Sequence, residues 1–334
     1  MNNKKKNESN LSNDDEILTL AKQVLTEEAD AISQQIDSLG KEFTSAVRAI
    51  FEAKGHLIIV GMGKSGHVGR KISATFASTG TPSFFINAAE ANHGDIGRVS
   101  KRDIVLIISN SGETPELKYL FPFLDRMSVE TIAITGKSNC TLSEFCDHKI
   151  IIHIGQEACP LNLAPSSSTT AMMALGDALA FSVYRLRAFS KLDFAQSHPA
   201  GALGRRLLLE VRDVMCTGDQ IPMVDPNTLL KSAIITISQC GLGFIIVANQ
   251  DKKVLGIFTD GDLRRLLEKS TEILHEKISK YMTIEFKTTH PRHLASQVLK
   301  IMKSEKISGL PVIDENEKLV GAINFHHLLG FGLE

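Results

Sequence analysis

The 334-residue chain has no C-x-x-C spacing, no surplus of charge of either sign and no long apolar run. Each absence excludes something. The five cysteines, at 140, 146, 159, 216 and 240, are an odd number without ribbon spacing, which argues against a disulfide framework and a zinc ribbon. A formal net charge of −1 offers no electrostatic reason to expect nucleic acid or an anionic membrane as partner. No apolar stretch approaches the roughly 18 residues of a membrane-spanning helix. The first residues, MNNKKKNESNLSNDDE, are basic and then polar, without the apolar stretch of a secretory signal. Residues 1–13 are expected to form a disordered tail, and the chain is expected in the cytoplasm.

What is present is an ordinary globular composition, 43% hydrophobic and 22% charged, over a length that calls for two or three domains. Ile17, Ala21, Leu25, Ala29, Ile32, Ile36, Leu39, Phe43, Val47 and Ile50 recur at helical spacing. They predict one long amphipathic helix, or two broken near Gly40, that needs a partner surface in an oligomer. From residue 56 the texture changes. HLIIV (56–60), SFFIN (83–87), DIVLIIS (103–109), TIAIT (131–135) and KIIIHI (149–154) are apolar on both faces and separated by helix-length segments. That pattern predicts an α/β domain, a parallel sheet covered on both sides. A helix is expected over Thr169–Phe189. Beyond residue 210 the chain repeats itself: VRDVM (211–215) recurs as ISKYM (278–282), and GFIIVANQDKKVLGIFTDGDLRRLL (243–267) as GLPVIDENEKLVGAINFHHLL (309–329). Two half-units of about 60 residues, neither able to bury its own face, are expected to pack on each other.

The stretch GMGKSG offers two phosphate templates and satisfies neither. Gly61, Gly63 and Gly66 spell the dinucleotide fingerprint, and Lys64-Ser65 the end of a P-loop. A P-loop needs glycine at 58, where Ile58 stands. A dinucleotide site needs an acid closing the second strand, which ends in Asn87; Glu90 lies past it. This weakens the reading as an NAD-dependent oxidoreductase. SNSGETPE (109–116) is more telling. Ser109, Ser111 and Thr114 supply hydroxyls, Gly112 a tight turn, and Thr114 a cap for a helix opening at Pro115, which together make an anion site. In a flavodoxin-like strand order, 2-1-3-4-5, this loop and GMGKSG flank the topological switch point. On residue chemistry alone, Glu157 and Lys64 rank first and His198 next. Glu116 ranks last, because the second position of a helix suits any acid.

GMGKSG, GTPSFF, HGD, SNSGET, EACPLNLAPSSSTT and SHPAGALGRRLL resemble, in this order, the sugar isomerase (SIS) domain of bacterial D-arabinose 5-phosphate isomerases. The repeat resembles that family's C-terminal pair of CBS domains. The resemblance runs from about residue 15 to the end. It implies a five-stranded parallel flavodoxin-like SIS domain with N-terminal helices (14–205) and CBS domains at 210–272 and 276–334. It implies reversible isomerisation of D-ribulose 5-phosphate and D-arabinose 5-phosphate, towards the Kdo sugar of lipopolysaccharide, without a cofactor. Lys64, Glu116, Glu157 and His198 match catalytic positions. Ser109, Ser111 and Thr114 match a phosphate cradle, and Gly80, Thr81 and His93 match substrate contacts, with Ser65 and Asn87 beside them.

Moving a proton between C2 and C1 through an enediol(ate) needs a carbon base, an oxygen proton shuttle and positive charge near the oxyanion. These roles are assigned to Glu157, His198 and Lys64 respectively. No metal is required. The resemblance allows an inhibitory zinc near His93 and His198, but Asn87 stands where similar proteins carry a zinc-linked histidine. In the CBS turn G-x-x-T-x-x-D, Gly256, Thr259 and Asp262 keep the nucleotide pattern, whereas the second repeat has Asn324 and His327. The pair is expected either to bind a nucleotide or nucleotide-sugar or to serve assembly alone. Glu157 and His198 lie on either side of a long helix and the opening helix is suited to association, so an active site shared between the subunits of a homotetramer is expected. The competing reading, a non-catalytic phosphosugar sensor, usually carries an N-terminal helix-turn-helix, and no short turn-linked helix pair is legible here.

Overall fold

The computed structural model describes residues 14–268 and 272–333; the expected tail at 1–13 lies outside them. The chain divides into two compact units, Met1–Ser197 and His198–Glu334.

The first unit opens with two helices, α1 (Asp14–Ile36) and α2 (Lys41–Glu52), separated at Gly40, the residue just ahead of α2. Then come β1 (Leu57–Gly61), α3 (Gly63–Ser78), β2 (Ser83–Asn87), the short α4 (Ala88–Asn92) and β3 (Ile104–Ile108). Next are α5 (Pro115–Lys118), α6 (Phe121–Met127), β4 (Glu130–Thr135), α7 (Thr141–Phe145) and β5 (His148–Ile151). Two further helices close the unit, α8 (Ser167–Leu186) and α9 (Lys191–Ser197). The five strands form one parallel sheet in the order β2-β1-β3-β4-β5. This is the flavodoxin-like order, with its switch point between β1 and β3.

The alternation of side chains along each strand divides the core in two. Leu57 and Ile59 face α2, α3 and α8, in a cluster with Ile72, Phe76, Met172 and Leu179. Ile58 and Val60 face the other side, with Ala88, Leu117, Phe121 and Leu142 from α4 to α7. A sheet buried on both faces explains why β1 and β3 read as unbroken apolar runs.

β5 and α8 differ in extent from the sequence reading. β5 stops at Ile151 rather than residue 154. The Ile152 N–H still donates to the Thr135 carbonyl, and the buried Gln35 of α1 then takes the backbone of His153: its Oε1 accepts from the His153 N–H at 3.0 Å, and its Nε2 donates to the His153 carbonyl. α8 starts at Ser167, two residues before the expected Thr169, and ends at Leu186, ahead of Ala188 with its left-handed φ of 51°.

The second unit begins with α10 (Ala202–Leu208) and contains the repeat. The first copy holds β6 (Met223–Val224), α11 (Leu230–Cys240), β7 (Phe244–Ala248), β8 (Val254–Thr259) and α12 (Asp260–Leu267). The second holds α13 (Ala295–Glu305), β9 (Gly309–Ile313), β10 (Leu319–Asn324) and α14 (Phe325–Gly330). The copies are exchanged at their lead-ins. Val211 and Val214 pack in the core of α13, β9, β10 and α14, and Cys216 exchanges backbone hydrogen bonds with Ala322. Reciprocally, Ile278 packs with Leu230, Ile245 and Phe258 of the first copy, and Thr283 pairs with Ile257. Each copy thus completes the other's core. No helix among the described residues is long and apolar enough to cross a membrane.

Candidate active site

The carboxyl edge of the sheet is where the candidate residues gather. Gly61 stands level with Asn87 on one side and Ile108 on the other. From this edge β1 turns directly into α3. The turn is tight enough that a Cβ on Gly66 would come within 3.2 Å of the Gly61 carbonyl oxygen. Lys64 therefore lies in the first turn of α3, exposed, with Ser65 half-buried beside it. Asn87 closes β2 and caps α4, its Oδ1 accepting from the Ala89 N–H at 2.9 Å. That is a structural task for the residue found in place of a histidine. His93, exposed, ends α4.

After β3 the SNSGET loop folds on its own hydroxyls. The Ser109 and Thr114 side-chain oxygens lie 2.9 Å apart, and Ser109 Oγ accepts from the Gly112 N–H. Thr114 occupies the cap position of α5, but its hydroxyl makes no cap bond, because Ser109 holds it; this corrects the expected capping role. Ser111 Oγ accepts from the Glu113 N–H at 3.3 Å. The structure also separates the two glutamates of this loop. Glu113 is tied down by Lys118 and by the Thr141 N–H and hydroxyl, which hold its carboxyl down at about 2. Glu116 is half-buried and carries no such clamp; its carbonyl accepts from Asn92.

Glu157 lies in the loop from β5 to α8, on the same edge. Its carboxylate straddles the start of α8. Oε2 accepts from the Ser166 N–H (2.7 Å), the Ser166 hydroxyl (3.2 Å) and the Ser168 N–H (3.2 Å), while Oε1 accepts from the Ser168 hydroxyl. Burial pushes its proton affinity up, but the Ser168 and Ser166 bonds outweigh that and hold the carboxyl below the usual glutamate range. The Glu157 N–H in turn donates to Asn162 Oδ1 at 2.8 Å. Ser166, Ser168 and Asn162 escaped the sequence reading; a serine run opening a helix a few residues after an acid was the available signal.

Lys64 and Glu157, far apart in sequence, come from neighbouring helix ends. Ile72 and Gly176 each stand in the third turn of their helices, α3 and α8, and touch so closely that a Cβ on Gly176 would lie 2.3 Å from Ile72 Cδ1. Lys71 and Asp177 form an ion pair beside them. Both helices start at the carboxyl edge of the sheet, so they run parallel and their N-termini lie side by side. The α3 terminus has no side-chain cap and presents unpaired N–H groups and partial positive charge, whereas the α8 terminus spends the Ser166 and Ser168 N–H groups on the Glu157 carboxylate. Lys64, in the first turn of α3, adds a positive charge at that end, next to the helix end that carries the carboxylate.

Other expected residues lie elsewhere. Gly80 and Thr81 precede β2, where Pro82 bonds the first residue of β1, so they sit at the amino edge of the sheet. A five-residue strand spans about 16 Å, so one chain does not bring them to Lys64. Gly80 (φ 89°) instead packs under the Phe189 ring, 2.4 Å from where a Cβ would stand. His198 opens the second unit, its carbonyl accepting from the Gly201 N–H. In the repeat, Thr259 and Asp262 bond each other in a capping box on α12, and Asn324 caps α14 by accepting from the His327 N–H. Among the described residues no group of three or more His, Cys, Asp or Glu side chains is arranged to hold a metal ion.

The chain matches the SIS domain family over residues 49–182 and the CBS domain family over 211–269 and 278–334. Arabinose 5-phosphate isomerase KdsD of Pseudomonas aeruginosa is 45% identical over 324 residues, covering 97% of this chain and 99% of that protein. KdsD of Escherichia coli K12 is 43% identical over 312 residues, 93% of this chain and 95% of that one. Among solved structures, c3406 of E. coli CFT073 in complex with arabinose 5-phosphate superposes with a TM-score of 0.55 at 41% identity, covering 56% of this chain and 100% of that chain. Similarity at this level over nearly the full length of both chains shows that the protein belongs to the arabinose 5-phosphate isomerase family, an enzyme built from a SIS domain and a pair of CBS repeats.

Proposed function

We propose that the protein interconverts D-ribulose 5-phosphate and D-arabinose 5-phosphate through an enediol(ate), in the supply of Kdo for lipopolysaccharide in the cytoplasm. The observation that carries this reading is the carboxylate of Glu157 fixed at one of two adjacent helix N-termini, with Lys64 at the other. Aldose–ketose isomerisation draws a proton off carbon while negative charge grows on the neighbouring oxygen. An ionised, aimed carboxylate serves the first need. Lys64 and the N-terminus of α3 serve the second. The hydroxyls of Ser109, Ser111 and Thr114, with the N–H groups of their loop, take the phosphate. His198 opens the sugar ring or carries protons between the oxygens, and Glu116 assists at the same edge. No cofactor is needed, because the reaction moves a proton and no external electrons.

Gly80, Thr81 and His198 reach the substrate through association in a homotetramer. The exposed apolar side chains of α1, among them Ile17, Leu25 and Ile36, support that assembly. The CBS pair regulates by binding a nucleotide or nucleotide-sugar, or serves assembly alone.

The test is incubation of the purified protein with ribulose 5-phosphate, without cofactor, and detection of arabinose 5-phosphate. Glu157→Gln is expected to bind the substrate and lose turnover by several orders of magnitude. Substrate binding without product in the unaltered protein points instead to a sensor, and full activity of the variant removes Glu157 from the chemistry.

A further inference from the structure

We propose that Ser168 is a positioning residue for Glu157, its hydroxyl aiming Oε1, the one carboxylate oxygen left able to take the substrate's proton. The inference rests on Glu157 acting as the carbon base. The two oxygens of this carboxylate are not equivalent. Oε2 accepts three hydrogen bonds, from the Ser166 N–H, the Ser166 hydroxyl and the Ser168 N–H. A carboxylate offers about four acceptor directions in all, so Oε2 has none to spare. Among the described residues, Oε1 accepts only from the Ser168 hydroxyl. One lone pair of Oε1 is thereby occupied, which leaves the other for the substrate. Ser168 is 1% exposed and sits in the first turn of α8, so water does not compete for its hydroxyl and its Cα does not move independently of the helix.

Among the described residues, every hydrogen bond on the carboxylate is from an uncharged group. The surrounding elements carry the titratable side chains Lys64 and His67 on α3, Asp177 on α8, Cys159 and His153 on the loop itself, and Asp37 after α1. None of these hydrogen-bonds Glu157. The serines therefore set both its direction and its ionisation, with burial opposing them. This arrangement trades base strength for aim. It keeps the carboxylate charged into acid conditions and commits it to one trajectory, which matters because misplacement by about 1 Å costs up to roughly a hundredfold in rate. A helix-capping role alone needs Oε2 on the backbone N–H groups and gives no reason for a buried hydroxyl on Oε1.

The experiment uses full-length protein in four forms: unaltered, Ser168→Ala, Ser168→Thr, and Glu157→Gln to assign the Glu157 carboxyl carbon in NMR titrations. Removing the hydroxyl raises the proton affinity of Glu157, so the acid limb of kcat/KM moves to higher pH. Ser168→Ala is expected to raise that affinity about tenfold, from the loss of one charge-assisted hydrogen bond. The same variant is expected to lose roughly tenfold to a hundredfold in kcat, with KM within about twofold. Ser168→Thr, which keeps a hydroxyl, is expected to restore both. An active enzyme in which Ser168→Ala leaves the carboxyl titration and kcat unchanged overturns the role of Ser168. A titration that moves while the acid limb stays fixed also overturns it, because Glu157 is then not the group the rate depends on. Unaltered protein with no turnover overturns the isomerase reading itself.

Discussion

Substituting Gly176 by alanine tests the side-by-side placement of the two helix ends most directly. Gly176 lies in the middle of α8, where alanine is favoured over glycine by about 1 kcal/mol on helix propensity alone. In this position the added methyl meets Ile72: its Cβ would lie 2.3 Å from Cδ1 and 2.4 Å from Cγ1 of a side chain that is itself fully buried. Overpacking of this kind costs roughly 1–3 kcal/mol. The net effect is therefore a destabilisation of about 0–2 kcal/mol. For a unit of this size that is a melting shift of up to roughly 8 °C. The larger consequence is geometric, because α8 relieves the clash by moving away from α3 and so carries Glu157 away from Lys64. A displacement of about 1 Å is expected to lower kcat by up to a hundredfold. The control is Ile72→Ala, which costs about 2–5 kcal/mol alone by leaving a cavity. In that background Gly176→Ala fills the space, is no longer destabilising, and yields a coupling of about 1–3 kcal/mol between contacting sites. Thermal melts and steady-state kinetics of the four proteins read out the cycle. Additive effects, or a Gly176→Ala enzyme with unaltered melting and kcat, refute the close parallel contact of α3 with α8.

Two further outcomes follow from single residues. Glu113 has its carboxyl held down at about 2, first by Lys118 and then by Thr141, against an ordinary value of 4.5. A depressed folded-state value contributes stability that is present above the unfolded value and lost as pH falls through the folded one. Glu113→Gln is thus expected to lower the urea midpoint at about pH 7, with the difference shrinking below about pH 4.5. A deficit as large at about pH 3 as at neutrality refutes the clamp. On α1, Leu25 is 68% exposed within one chain. Leu25→Glu is expected to reduce the sedimenting mass and the activity together, whereas an unchanged sedimentation coefficient removes this face from the assembly.

Much of the first unit was legible in the sequence because a sheet buried on both faces leaves little choice of residue. β2 lies where SFFIN predicted it, and the break between α1 and α2 falls at Gly40. The end of β5 was not legible, because what replaces its ladder is Gln35, more than a hundred residues earlier in the chain. Thr114 shows the same limit on a smaller scale: its cap position was readable, but the choice of Ser109 over the helix N–H groups depends on how the loop closes. In the repeat, the internal similarity marked two copies and could not reveal that Val211 and Ile278 each complete the other copy's core.

By itself the sequence determined the strand pattern, the two loops at the switch point and the residue types at the site, since periodicity and turn chemistry are local properties. Only the tertiary structure decided which of those residues meet. The contact of Gly176 with Ile72 sets α8 parallel to α3 and brings Glu157 and Lys64 to neighbouring helix ends. The clamp by Lys118 and Thr141 separates Glu113 from Glu116. The length of the strands keeps Gly80 and Thr81 at the far edge of the sheet. The physical reason is common to all three: packing couples groups through space, and sequence separation carries no information about that distance.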